Sequence, residues 1–391
     1  MVTQPRGRGR IAPIAAVCAL AAALTTGPSA ASAAARTPTC FGRTATIVVQ
    51  NEGVVTNGTG RRDVIVGTPG NDTINGLGAG DLICSLGGAD IVTGGLGNDR
   101  IDAGAGDDEV FGDIFHPTDD VVGGGDDYLA GGDGDDRLIG DSLTFEGRAT
   151  GGGRDEIHGG PGFNRLTGDS RGADATGGGD DRLFGGDDVD FMLGDSTAFT
   201  GTVTGAGDDL LFGGGGFNFL IGDSQGPGPV GGSGGDDVLD MGAGGPLAIG
   251  DHNIFDPEGG TALGAGRDRI TGGGLPEELI GDSSVPEGAT APAAADVIFG
   301  GDENDRLFGD NAGFNADFVT TGTTGDRGGD DALYGEAGDD LLRGGPRDDR
   351  LDGGPGTDDC DGEGGRDTLT ACEAGLRPAT VFGTRLQRYL S

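Results

Sequence analysis

Glycine supplies 89 of the 391 residues and acidic residues 65, the formal charge is −40, and tryptophan and lysine are absent. So few large apolar side chains exclude an ordinary globular core, and so much negative charge excludes a compact state unless the acids are neutralised. The same charge argues against nucleic acid as a partner.

At the N-terminus, Arg6, Arg8 and Arg10 precede an apolar stretch from Ile11 to Thr25, and Ala31-Ser32-Ala33 offers a small-x-small cleavage site. Residues 1–33 read as a signal peptide, which makes the mature chain a secreted, extracellular protein. The apolar run is short for a membrane span and no second one follows, so no membrane span is expected in the mature chain. Residues 34–57 hold a strand-like run, Ala45 to Gln50, and are expected to cap the fold. Four cysteines follow the signal. In an exported chain an even number points to disulfides. The preferred pairs are Cys40 with Cys84 and Cys360 with Cys372, one at each end; the other pairings stay open.

From Gly58 the chain falls into blocks of nine, reading GTGRRDVIV, GTPGNDTIN, GLGAGDLIC, SLGGADIVT, GGLGNDRID and AGAGDDEVF. Asp always takes the sixth place and an aliphatic residue the eighth, Ile65 and Ile74 being the first two. The frame holds without interruption over 58–111 and again over 326–370. Between them, over 112–325, each unit is longer. Gly-Asp pairs mark it at Asp113, Asp141, Asp169, Asp195, Asp223, Asp251, Asp282 and Asp310, spaced 26 to 31 residues apart. Two nonapeptide frames account for eighteen residues of each unit. The rest is an insertion that follows the Gly-Asp pair.

This pattern resembles the G-G-x-G-x-D-x-U-x nonapeptide of the repeats-in-toxin (RTX) family, the haemolysin-type calcium-binding repeats. The resemblance covers almost the whole mature chain, and its specificity comes from recurrence in phase. It implies an all-β fold, a parallel β-roll solenoid of nonapeptide repeats. Six residues of each repeat form a glycine-rich turn and three a short strand, with turns alternating between two sides. In this chain one side of the central part would carry long loops. The implied cofactor and partner is Ca²⁺, a hard cation that takes six to eight oxygen ligands.

The sixth-place residues are the candidate metal ligands. Side one carries Asp63, Asp81, Asp99, Asp127, Asp155, Asp181, Asp209, Asp237, Asp268, Asp296, Asp331, Asp349 and Asp367 without exception, and every insertion. Side two carries Asp72, Asp90, Asp108, Asp136, Asp190, Asp305, Asp340 and Asp358, but reads Asn164, Asn218, Pro246 and Glu277 in its middle. A continuous calcium row is therefore expected on side one, and a weakened or interrupted one along the middle of side two. Residues 371–391, with Arg377, Arg385 and Arg388, are expected to cap the far end.

Catalytic motifs are weak against this background. Gly140-Asp141-Ser142-Leu143 and Asp155 to His158 resemble pieces of GDSL hydrolases, and Gly168 to Gly172 fits G-x-S-x-G. A nucleophile is needed once, whereas Gly-Asp-Ser recurs at Ser142, Ser170, Ser196, Ser224 and Ser283, so a turn role is favoured. His116, His158 and His252 are isolated and show no zinc-type spacing. The expected function is a non-catalytic protein that folds on binding Ca²⁺ outside the cell. The alternatives are an extracellular structural or adhesive protein that binds an unknown cell-surface or polymer ligand on the loop face, and a secreted hydrolase.

Overall fold

The computed structural model describes residues 37–373. The signal segment and nearly all of the expected C-terminal cap lie outside them. The described residues contain strands and turns, and no helix long and apolar enough to cross a membrane.

Each nonapeptide places three residues in a strand and sends the chain to the opposite sheet. Two main parallel sheets result. One has fourteen strands, from Ile47–Val48 to Thr368–Thr370; the other has thirteen, from Val55–Thr59 to Asp359–Asp361. Successive coils stack in register, so Ile65, Ile83 and Ile101 lie side by side in the first sheet. Ile74, Val92 and Val110 do the same in the second. This is an all-β parallel roll.

The eighth-place side chains fill the space between the two sheets. One continuous core runs from Ile65 through Leu129, Leu183, Leu239 and Ile298 to Leu351, all fully buried. Each contributes about 1.5–3 kcal/mol by leaving water. Because one strand gives one such residue, the core is thin and close backbone packing must supply the rest. Glycine makes that approach feasible. At Gly140 a Cβ would collide with the carbonyl oxygen of Gly168 in the next coil and with Asp155 Oδ2. Gly132 and Gly104 stack at φ of 107° and 103°, a conformation that other L-residues disfavour.

The insertions occupy one side, as expected. Each leaves the thirteen-stranded sheet and returns to the fourteen-stranded one. They hold more order than loops. Residues of the insertions form two further sheets, one of six parallel strands from Val121–Val122 to Ala262–Leu263, and one of seven from Arg171–Gly172 to Thr320–Thr323. The seven-stranded sheet ends in an antiparallel pair, Ala312–Phe314 with Thr320–Thr323. These two sheets enclose a second core of small side chains, among them Ala175, Ala198, Val203, Val230 and Ile254. The inserted layer also covers part of the outer face of the thirteen-stranded sheet, where Leu193, Ile221, Ile280 and Phe308 pack with Ala312.

A short antiparallel pair, Thr39–Cys40 with Arg43–Thr44, sits at the first coil, and the Cys40–Cys84 disulfide ties it there. The Cys360–Cys372 disulfide closes the other end. Both are the preferred pairs of the sequence.

Candidate metal centre

The sixth-place Asp of side one form a continuous ladder. Each backbone N–H donates to Oδ1 of the Asp one coil further on. The distances are 2.7 Å from Asp63 to Asp81, 2.7 Å from Asp155 to Asp181, 2.8 Å from Asp237 to Asp268 and 2.9 Å from Asp331 to Asp349. All of these carboxylates except that of Asp367 are buried. At the first coil Asp63 Oδ2 accepts from Thr59 N and Oγ1; beyond it the second oxygens have no donor. Oδ2 is buried and unpartnered in every member from Asp81 to Asp349.

That pattern decides what the turns require. An uncompensated buried carboxylate costs several kcal/mol, and a whole domain is stable by only about 5–15 kcal/mol. A row of them is therefore incompatible with a stable roll unless protons or cations cancel the charge. Burial pushes the carboxyl of Asp99 up to about 7, and coulombic repulsion from Asp81 adds to it. At Asp155, Asp181 and Asp209 burial again leads and raises the carboxyl well above its ordinary value, with neighbouring Asp adding repulsion. The free atoms are carboxylate oxygens, and the glycine carbonyl oxygens of adjacent coils lie close to them, as at Gly140. An all-oxygen donor set of this kind suits a hard divalent cation such as Ca²⁺ and not zinc.

Side two starts in the same way. Asp72 N donates to Asp90 Oδ1 at 2.7 Å, and Asp90 N to Asp108 Oδ1 at 2.7 Å. In the middle its chemistry changes. Asn164 turns its amide nitrogen onto the carbonyl oxygens of Gly160 and Gly162, at 2.9 and 3.2 Å, and onto Asp190 Oδ1 at 2.9 Å. Asn218 does the same to Gly215 O at 2.8 Å and Met241 O at 3.1 Å. The amide takes up oxygens that elsewhere face the turn interior. At Glu277 the carboxylate accepts from Gly273 N and from Gly245 N, beside Pro246. The Asp ladder resumes from Asp305 to Asp340 at 2.8 Å.

A third row of acids was used in the sequence only to mark the spacing of the long units. The eight Gly-Asp residues from Asp113 to Asp310 are all fully buried. Each sits at the second place of a side-one turn, just before the insertion. In Asp113, Asp141, Asp169 and Asp195 both carboxylate oxygens lack a partner. Oxygens of Asp141, Asp155 and Asp169 lie within 4.8 Å of one another. The signal that would have found this row was present: an Asp held at one turn position in eight consecutive units.

The serines of the Gly-Asp-Ser triplets are equally buried. Ser142 Oγ accepts from Ile114 N at 3.3 Å and Ser196 Oγ from Ser170 N at 3.3 Å. His252 takes the serine position in its own coil, with Nδ1 3.6 Å from Asp223 Oδ2. Burial lowers the affinity of its ring for a proton. His158 lies on the fourteen-stranded sheet, stacked 4.6 Å from the Phe184 ring and bonded to Glu156.

A parallel roll with one acidic, glycine-rich turn per half-coil defines the class: a metal-binding repeat solenoid. The chain belongs to the RTX calcium-binding nonapeptide repeat family, whose model matches residues 57–92, 85–118, 121–142, 150–170, 175–197, 203–225, 293–312, 327–346 and 334–369, together more than half of the chain. Among curated proteins none matches the chain. The stretch from 226 to 292 falls outside the family matches, yet its strands, such as Val238–Asp240 and Arg269–Thr271, continue the roll.

Proposed function

We propose that this is an exported protein whose roll forms when Ca²⁺ binds between its coils outside the cell, with no catalytic role. The observation that carries the reading is the unbroken row of buried, unpartnered Oδ2 atoms from Asp81 to Asp349. Where free Ca²⁺ is scarce, repulsion among these acids keeps the chain open. Where Ca²⁺ is abundant, ions held by the sixth-place Asp of both sides cancel the charge, and binding free energy becomes folding free energy. The middle of side two, where the amides of Asn164 and Asn218 take up turn oxygens, carries a weakened or interrupted row, with Asp190 between them still offering a buried Oδ2 without a donor. Extracellular calcium modules work at about 10⁻⁴–10⁻³ M. Circular dichroism through a Ca²⁺ titration of the full chain tests this, with Mg²⁺ as the control. A rise in β signal with Ca²⁺ and not with Mg²⁺ is expected; a signal insensitive to both rejects the reading. The buried, recurring serines support a turn role for Gly-Asp-Ser.

A second reading, adhesion through the inserted face, is favoured by one observation. Between the thirteen-stranded sheet and the inserted layer lies a cleft lined by Arg137, Arg165 and Arg171 together with Phe145 and Phe199. Arg171 lies 5.2 Å from the Phe199 ring centre and Arg137 6.0 Å from that of Phe145. Asp107, Asp108, Glu109, Asp135 and Asp136 line the same cleft, so it offers hydrogen-bonding groups of both signs beside aromatic faces, which suits a polyhydroxylated ligand such as a neutral polysaccharide. Phe199→Ala should weaken retention on a neutral polysaccharide matrix; unchanged retention, or none in the parent chain, removes this reading.

A further inference from the structure

The Gly-Asp row differs from the turn sites in one respect that decides affinity. In the tight turns the second place brings no buried carboxylate, only a backbone N–H and, at Thr59 and Thr68, a hydroxyl that donates to the sixth-place Asp. Thr68, for example, donates its N–H to Asp72 Oδ2 at 2.6 Å. In the long units the second place is Asp. Its carboxylate enters the turn beside the sixth-place Asp of the same coil, and the next coil repeats the arrangement. The gap between the coils of Asp141 and Asp169 is bordered by these two carboxylates and by the sixth-place Asp155, whereas Asp223, Asp251, Asp282 and Asp310 further along each accept a backbone N–H. Both oxygens of Asp141 and Asp169 are buried and bonded to nothing. Counted along the row, each coil adds two carboxylates, a charge of −2, which one divalent cation balances. A tight turn adds one.

We infer that the Gly-Asp residues form a second line of Ca²⁺ ligands, so that the central side-one gaps hold Ca²⁺ more tightly than the nonapeptide turns and fill first. This rests on the calcium reading above. Ligand charge and site rigidity set calcium affinity, and here a second carboxylate joins each turn and all eight Gly-Asp residues are fully buried. The row ends where the insertions end, at Asp113 and Asp310. The central coils would thus order at low Ca²⁺, and the tight-turn coils at either end would add to them as the concentration increases. The side-two turns at Asn164 and Asn218 need no ion to stand.

Calorimetric titration of the full chain with Ca²⁺ tests the inference, using the parent chain, Asp169→Asn and Asp136→Asn. The parent should show two classes of site at least about tenfold apart in affinity. Asp169→Asn, which borders two central gaps, should lose sites from the tight class alone. Asp136→Asn, at a side-two turn, should lose from the weak class alone. Asparagine already serves in the turns of this chain, so the replacement is compatible with the backbone. Asp113→Asn borders one gap at the end of the row and carries the same test should Asp169→Asn not fold. One class of site in the parent, or an intact tight class in both Gly-Asp variants, overturns the inference and leaves the calcium reading standing. No binding of Ca²⁺ by the parent overturns both.

Discussion

The two sides of this roll solve the same problem with different chemistry. Every coil must bring two turns close to their neighbours above and below, and each turn crowds inward-facing oxygens. Side one keeps Asp at every coil and, from Asp81 to Asp349, leaves its second oxygen without a donor. Side two replaces the carboxylate with an amide at Asn164 and Asn218, whose N–H groups satisfy the surrounding carbonyls directly. A turn closed by a donor stands by itself, whereas a turn of acceptors alone depends on a cation. On the proposed calcium reading, dependence on the ion would be set turn by turn, through the choice between Asp and Asn.

The sharpest way to break that comparison is pH in excess chelator. Burial raises Asp99, Asp108 and Asp340 to about 7, each from a much lower ordinary value. A carboxyl raised in the folded state favours folding while it stays protonated. Stability is full below the unfolded-state value near 4, and falls as pH rises toward 7. Without calcium, β structure should therefore return as pH is lowered from 7 to 4. Circular dichroism follows it, and a flat profile would show that the carboxyls do not govern folding.

Next in size is a pair of substitutions across the two sides, both read by chemical unfolding in saturating Ca²⁺. Asp181→Ala removes the acceptor for Asp155 N and, on the proposed calcium reading, an ion ligand, and should cost about 3–5 kcal/mol. Asn164→Ala removes a neutral plug and should cost about 1–3 kcal/mol. The reverse change, Asn164→Asp, should raise the calcium needed for folding and add about one ion to the metal count. Equal costs on the two sides would erase the distinction.

Smaller effects belong to the ends and to the serine row. Cys360→Ser with Cys372→Ser opens a short loop and should cost at most about 3 kcal/mol, confined to the last coils as seen by amide exchange. Ser142→Ala loses one long hydrogen bond and should cost about 1 kcal/mol, with no change in esterase turnover. A turnover that fell to background would instead revive the hydrolase reading.

Much of this was legible in the sequence, for a physical reason. A strict period of nine places Asp and an aliphatic residue at fixed points of every coil, so the two main sheets and both Asp ladders follow from counting. Ala248 and Cys360 break the aliphatic rule without breaking the core, since Ala248 is fully buried and Cys360 packs against the core at the end of the roll. The inserted sheets were not legible. Strands as short as Arg171–Gly172 and Val203–Thr204 carry no periodic signal, and only pairing from coil to coil makes them strands. The apolar residues flanking the eighth place, such as Phe191 and Leu193, were the available hint that something covers the outer face. The Gly-Asp row was visible as a spacing and missed as chemistry, because the nonapeptide frame directs attention to the sixth place and these Asp occupy the second.

The central claim is that cations wedged between stacked acidic turns hold the coils together at neutral pH. Small-angle X-ray scattering of the full chain at pH 7, in millimolar Ca²⁺ and then in excess chelator, tests it most directly. The account predicts a compact elongated particle with calcium and an expanded coil without it, interconverting reversibly. An unchanged scattering profile in the two conditions would contradict it.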